Sequence, residues 1–277
     1  MTITAGFIAH DGILLCSDSQ YTSSERTDDQ KIFARFFEGA AVVFALSGDT
    51  AYGRTAIEDC REAISSFPSE QRTIPNIRKT VRRVMKRILA DYDARRLEPS
   101  ERPQFLVAIT TREEETRLFS TRETAMSPVT RYECQGSGSY LGNYIIGPIY
   151  QEGMSVSEAA VIAMSALSAA KKHDTYCGGF SQFVAIARGR LTAVLPFDPQ
   201  ATECLIERYE GYARLLLLDT CNGEILDSDF PDRLAKFTDR VLEIRRLVKE
   251  AGAANQELLA TLSRPLSSPT SSSTDQT

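Results

Sequence analysis

Thr2 stands directly behind the initiator methionine, and its type and place raise a chemical question. A threonine hydroxyl is a weak nucleophile at neutral pH and needs a neighbouring base. A free α-amino group, with an ordinary pKa of about 7.7–8.0, is partly neutral there and can act as one. Removal of Met1 would put the hydroxyl and that amine on the same residue. Four other stretches carry polar groups at the ends of apolar runs: Ser17-Asp18-Ser19, Lys31, Gly136-Ser137-Gly138-Ser139, and Asp174-Thr175-Tyr176-Cys177-Gly178-Gly179. Singly, each has a plain structural reading, as a strand threonine, a surface lysine, a turn, or a cap followed by a turn. Their order and spacing say more than any one of them.

The elements that must position these groups follow from periodicity. Residues 2–9 and 12–19 read as strands around His10-Asp11-Gly12, where Asp-Gly supplies a tight hairpin turn. Lys31-Ile32-Phe33 and Ala40–Leu46 read as a second pair with Gly39 in the turn, ending at Ser47-Gly48-Asp49, a strand-to-helix junction. The pattern predicts helices over Thr50–Ser66 and Ile74–Arg96. On the second, Ile77, Val81, Val84, Met85, Ile88, Leu89 and Tyr92 recur at helical spacing, and Arg78, Lys79, Arg82, Arg83, Lys86 and Arg87 form a solvated face. Strands are predicted at Gln104–Thr110, Thr116–Ser120, Tyr132–Gln135, Gln182–Ala187 and Leu191–Leu195. A helix is predicted over Ser155–Lys172, and Arg188-Gly189-Arg190 reads as a turn. Blocks of strands and blocks of helices in this order indicate α+β layers rather than alternating βαβ units. Beyond Pro196, Tyr212–Asp219 reads as a further strand and Asp232–Ala251 as an amphipathic helix with Leu234, Phe237, Val241, Ile244, Leu247 and Val248 on one stripe. The Ser/Thr/Pro-rich end reads as disordered. The domain reading is therefore 1–200, an extension over 201–260, and a tail over 261–277.

Composition narrows the class. The chain has 277 residues, 42% hydrophobic and 25% charged, enough to bury a sizeable core. A net charge of −5 and a pI near 5.3 argue against a nucleic-acid or membrane-surface protein. No run approaches the roughly 18–20 apolar residues of a spanning helix, and the N-terminus lacks a secretory pattern, so the cytoplasm is the expected compartment. Six scattered cysteines without a C-x-x-C pair, and only two histidines, point to reduced structural thiols and no zinc site.

Over residues 2–195 the sequence resembles proteasome β-subunits and the related bacterial protease subunit that pairs with an unfoldase ring, both N-terminal-nucleophile (Ntn) hydrolases. The carrying features are Thr2, an Asp18-Ser19-Gln20 element whose aspartate follows the threonine by sixteen residues, Lys31 opening the next strand, and Leu46-Ser47-Gly48-Asp49 ending the strand after that. Gly136-Ser137-Gly138-Ser139 and Asp174-Thr175-Tyr176-Cys177-Gly178-Gly179 complete the set. Four positions depart from the family pattern, the first being Gln20, which stands where typical β-subunits have arginine although the bacterial relative also carries glutamine. Lys31 comes a few residues early, Ser47 stands where glycine is usual, and Cys177 stands where serine is usual.

The resemblance implies a four-layer α-β-β-α sandwich and a threonine-type endopeptidase inside a self-compartmentalising ring of like subunits. It implies a peptide or unfolded-protein substrate, an ATP-dependent unfoldase as partner, and no cofactor. In that reading Thr2 is the nucleophile, Lys31 holds down the pKa of its hydroxyl and amine, and Asp18 orients Lys31. The Ser47 N–H, with Gly48 allowing a sharp turn, serves the oxyanion. Ser137, Asp174 and Cys177 support the amine, and Gln20 and Ala45 border a substrate pocket, Ala45 leaving room for a sizeable side chain. Only Met1 would need removal, which a methionine aminopeptidase can do. Two other readings use the same residues: an inactive proteasome-like scaffold that keeps Met1, and a non-proteolytic amidase on the same fold.

Overall fold

The computed structural model of the chain describes residues 2–22, 26–98, 101–113, 115–187, 190–192 and 199–262. β1 (Thr4–Ala9) and β2 (Gly12–Asp18) form a hairpin in which Ala9 pairs with Gly12 across the two-residue turn His10-Asp11. A short hairpin, β3 (Gln20–Thr22) and β4 (Arg26–Asp28), follows. β5 (Ile32–Phe37) and β6 (Ala40–Ser47) then lead into α1 (Thr50–Ser65) and α2 (Ile74–Ala94). Next come β7 (Gln104–Thr111), β8 (Thr116–Arg122), β9 (Ala125–Pro128) and β10 (Tyr132–Gln135). The chain continues through α3 (Ser139–Ile149), α4 (Val156–His173), β11 (Ser181–Ala187), β12 (Arg190–Thr192), α5 (Pro199–Cys221) and α6 (Phe230–Leu262).

Two five-stranded antiparallel sheets result, ordered β10-β1-β2-β11-β12 and β5-β6-β7-β8-β9. Side chains alternate across each strand, so each sheet has two apolar faces to bury. In β6, Val42, Phe44 and Leu46 pack beneath α1 and α2, while Val43 and Ala45 point at the other sheet. In β2, Leu14 and Cys16 pack under α4, while Ile13 and Leu15 point between the sheets. Three apolar layers separate four structural ones, and the molecule is an α+β, α-β-β-α sandwich, as the sequence led us to expect.

The helices are seated by local signals. Asp49 accepts the Tyr52 N–H and caps α1. Ser155 and Glu158 form a capping box at the start of α4. On α2 the apolar positions named above are buried, and Lys79, Arg82, Arg83, Lys86 and Arg87 are exposed.

The structure differs from the sequence reading in several places. Tyr212–Asp219 is not a strand but the C-terminal half of α5, which is tied to α4 by Lys171–Glu203, Ser168–Glu207 and Ser165–Glu210. The α3 helix was not expected, and neither was β9. The Asp232–Ala251 helix belongs to the longer α6, which packs on α5 through Tyr209–Phe237, Arg240 over Tyr212, and Arg208–Glu243. Arg188-Gly189, the end of the strand expected through Leu195, and tail residues 263–277 lie outside the described residues.

Candidate active site

The β1–β2 register builds the centre of the site. Thr4 pairs with Ser17, so Asp18 lies beside the Thr2-Ile3 peptide. The Asp18 N–H donates to the Ile3 carbonyl (3.3 Å), and the Ile3 N–H returns to Asp18 Oδ1 (3.1 Å). The Thr2 hydroxyl donates to the same Oδ1, and the Gly178 N–H donates to Oδ2 (3.0 Å). Sixteen residues of sequence are thereby folded into direct contact by one tight hairpin.

Lys31 arrives from the opposite sheet at the start of β5. Its Nζ donates to Thr2 Oγ1, to Asp18 Oδ1 (2.9 Å) and to the Gln20 carbonyl. All three ammonium donors are thus used. Thr2 is 2% exposed, and the Lys31 and Asp18 side chains are 5% and 0% exposed. Burial is the largest influence on Lys31 and lowers its pKa below the ordinary lysine range, while Asp18 pulls the other way.

The Gly136–Ser139 turn wraps the main chain of Thr2. The Gly138 N–H donates to the Thr2 carbonyl (3.2 Å), and the Ser137 hydroxyl lies 3.5 Å from it. Gly136 has φ +89°, and a Cβ there would stand 2.1 Å from the Thr2 carbonyl oxygen. Only glycine permits this approach. At the end of β6, Gly48 (φ +87°) makes the turn that carries the chain past Arg102, whose carbonyl oxygen lies 2.3 Å from where a Cβ would be. Ser47 and Gly48 face Gly136, Ser137 and Ser139 across a cleft of about 430 Å³.

The other predicted residues fall at different distances from this centre. The Cys177 thiol is buried beside Ser137, and burial, then Asp18 and Asp174, push its pKa up to about 12. It is a neutral thiol. Asp174 ends α4 and accepts the Tyr176 N–H (2.9 Å); among the described residues it makes no hydrogen bond to Thr2. Gln20 reaches from β3 to the Thr175 carbonyl (3.0 Å) and so braces the 174–179 loop. Ala45, expected to leave room in a substrate pocket, is instead sealed between the sheets opposite Ile32 and borders no open space. Sequence reasoning missed Gln182 and Gln135, which join the two sheets at this end of the sandwich. Neither carries a local signal: the partners of Gln182 lie some 150 positions earlier in the chain, and those of Gln135, Ser120 and Thr121, lie on a strand of the facing sheet. Among the described residues no three His, Cys, Asp or Glu side chains gather into a metal site, and no helix is long and apolar enough to cross a membrane.

Comparison with known proteins agrees with the fold. A family model described as "Proteasome subunit" matches residues 2–186. Curated protein sequences give no match. Among solved structures, the "Anbu (Gly-1) mutant" from Hyphomicrobium sp. strain MC1 superposes with a TM-score of 0.66 at 14% identity, covering 82% of this chain and all of that one. "Anbu (ancestral beta-subunit)" from Yersinia bercovieri gives 0.66 at 13% identity, covering 81% of this chain and all of that one. A second Hyphomicrobium Anbu structure gives 0.65 at 14%, covering 80% of this chain and all of that one. At these identities the likeness to the solved structures is one of fold.

Proposed function

Because this chain belongs to the proteasome subunit family, we propose that it is a threonine-type peptidase subunit whose nucleophile is Thr2 Oγ, freed for catalysis by removal of Met1. The observation that carries the proposal is the convergence of Lys31 Nζ and the Asp18 carboxylate on a single hydroxyl in a buried site. A hydroxyl that only stabilised a strand would not require a buried ion pair at its oxygen, since such a pair contributes little net stability.

The reaction follows from these groups. The neutral α-amine of Thr2 takes the hydroxyl proton as Oγ attacks the substrate carbonyl carbon and the C–O bond forms. The Lys31 ammonium favours the developing alkoxide, and Asp18 keeps Lys31 charged and aimed. The oxyanion is received by the Ser47 N–H at the Gly48 turn. As the tetrahedral centre collapses, the C–N bond breaks and the ammonium of Thr2 gives its proton to the leaving nitrogen. Water then attacks the Thr2 ester, again losing its proton to the amine, and Oγ is released with its hydrogen restored. Ser137 and Gly138 hold the Thr2 carbonyl and so fix the rotation of the residue that carries both reacting groups. The natural substrate in this reading is an unfolded polypeptide admitted to a ring of like subunits, with an ATP-dependent unfoldase as feeder.

Intact-protein mass spectrometry, run beside a peptide-hydrolysis assay on wild type and Thr2→Ala, tests the reading. Loss of one methionine mass, with hydrolysis abolished by Thr2→Ala, is expected. A chain that keeps Met1 and cleaves no peptide overturns the mechanism and leaves the scaffold reading.

A further inference from the structure

Lys31 and Asp18 belong to different sheets. Something must therefore set the two sheets in register at this end of the sandwich. The salt bridge is a poor candidate, because a lysine side chain has four rotatable bonds and adapts to its partner rather than placing it. The main chain of residues 29–32 is the part that has to be fixed. It leads into β5, the edge strand of its sheet, so one side of it has no ladder partner.

Gln182 fills that side. It lies on β11, in the opposite sheet, where it pairs with Ser17 next to Asp18. Its Oε1 accepts the N–H of Lys31 (3.0 Å) and of Ile32 (3.3 Å), and its Nε2 donates to the Asp29 carbonyl (2.7 Å). Two donors on one side and a carbonyl on the other fix the amide orientation unambiguously. One side chain thus holds main-chain groups on both sides of the Lys31 Cα and ties them to the strand adjacent to Asp18. By contrast, the side chain of Gln30, the exposed neighbour of Lys31, donates within its own segment, to the Ile32 carbonyl (2.7 Å). We propose that Gln182 is the positioning residue of the reaction, the group that holds the Lys31 main chain at the distance from which its ammonium meets both Asp18 and Thr2. The inference rests on the peptidase reading for its kinetic consequence, but not for its structural one.

The test uses the full chain with Gln182→Leu, Gln182→Glu and Gln30→Ala. In Gln182→Leu all three main-chain groups lose their partner. Misplacement of a catalytic group by about 1 Å costs on the order of 100-fold, so kcat should fall by about 10–100-fold while KM stays within about two-fold. Gln182→Glu keeps the acceptor for Lys31 and Ile32 but sets a second carboxylate oxygen against the Asp29 carbonyl, so it should recover only part of the lost kcat. Gln30→Ala should match wild type. A crystal structure of Gln182→Leu should show Lys31 Nζ moved away from Asp18, where it now lies at 2.9 Å. Gln182→Leu and Gln30→Ala leave the charged or titratable neighbours of Lys31, namely Asp18, Asp29 and Cys177, untouched, whereas Gln182→Glu adds one charge beside them. A Gln182→Leu variant with wild-type kcat, or with the Lys31–Asp18 contact unmoved, overturns the proposal. So does a Gln182→Glu variant no better than Gln182→Leu. Should the leucine variant fail to fold, Gln182→Met, which also lacks both amide groups, takes its place with the same outcomes. Absence of hydrolysis in the wild type would instead count against the peptidase reading, and the crystallographic comparison would still decide the role of Gln182.

Discussion

Asp18→Asn replaces the carboxylate that faces Lys31 by an amide of the same shape, and it should weaken the fold as well as the reaction. Both side chains are buried, so solvent screening does not dilute the effect. The Asp18 carboxylate serves Thr2 Oγ1, the Ile3 N–H and Lys31 on one oxygen and the Gly178 N–H on the other. An amide has a single acceptor oxygen. Turned towards Lys31, it sets its NH2 against the Gly178 N–H; turned the other way, it sets the NH2 against the ammonium. Either way a buried cation loses its counter-charge and a donor loses its acceptor. Breaking a buried pair from one side costs about 3–5 kcal/mol. At about 2–4 °C per kcal/mol for a domain of this order of size, Tm should fall by roughly 6–20 °C. The pH dependence has a definite sign. Burial already lowers the Lys31 pKa, and loss of Asp18 removes its main opposing influence, so it drops further. For a cation whose folded pKa lies below its unfolded one, the unfolded chain binds more protons between the two values, and stability rises with pH across that window. The deficit of Asp18→Asn relative to wild type should therefore shrink as pH rises towards the wild-type Lys31 pKa, which lies below the ordinary lysine value of about 10.4. Adding Lys31→Met should recover part of the loss, because no lone ion then remains. The assay is urea unfolding at fixed protomer concentration, since any assembly adds stability of its own. A variant as stable as wild type, or a deficit that does not change with pH, refutes the reasoning.

Other outcomes follow from the same geometry. Gly136→Ala puts a methyl group against the Thr2 carbonyl at a positive φ, so kcat should drop on the order of 100-fold; activity within two-fold of wild type would contradict this. With a thiol reagent at about pH 8, the exposed Cys204 and Cys221 should react promptly, while the buried Cys16, Cys60, Cys134 and Cys177 should react only on unfolding. Burial raises the pKa of all four, that of Cys60, Cys134 and Cys177 to about 12, and a fast third thiol would be inconsistent with that burial. If Lys31 must be protonated to act, kcat/KM should decline on the alkaline side at a pH below the ordinary lysine range; an optimum that extends unchanged through that range would remove Lys31 from the reaction.

What the sequence revealed about the site depended on how far apart in the chain the partners lie. Thr2 and Asp18 were legible together because one two-residue turn joins their strands, so their spacing is itself a structural quantity. The helix α3 contains Gly142, Gly147 and Pro148, residue types that weaken or break helices. A Cβ at Gly142 would stand 3.0 Å from the Cys134 sulfur, a contact close enough that the neighbour would have to shift, and Pro148 sits in the last turn, where the chain is about to leave the helix. In α5 the stretch Tyr212–Asp219 read as a strand, yet it is helical and Leu215, Leu217 and Leu218 are exposed. The deciding signal lay upstream, in Glu203, Glu207 and Glu210, whose helical spacing places each opposite Lys171, Ser168 or Ser165 of α4. Gln182 gave no warning at all. A glutamine at a strand position is unremarkable until the sheet that faces it is known, and its three partners come from residues some 150 positions earlier. The hydroxyl and the charges of this site were picked out by their order and spacing and by the family resemblance these carry. The group that holds the charges at their working distance became visible only once the two sheets were in place, and for that reason Gln182 has to be tested by geometry as well as by rate.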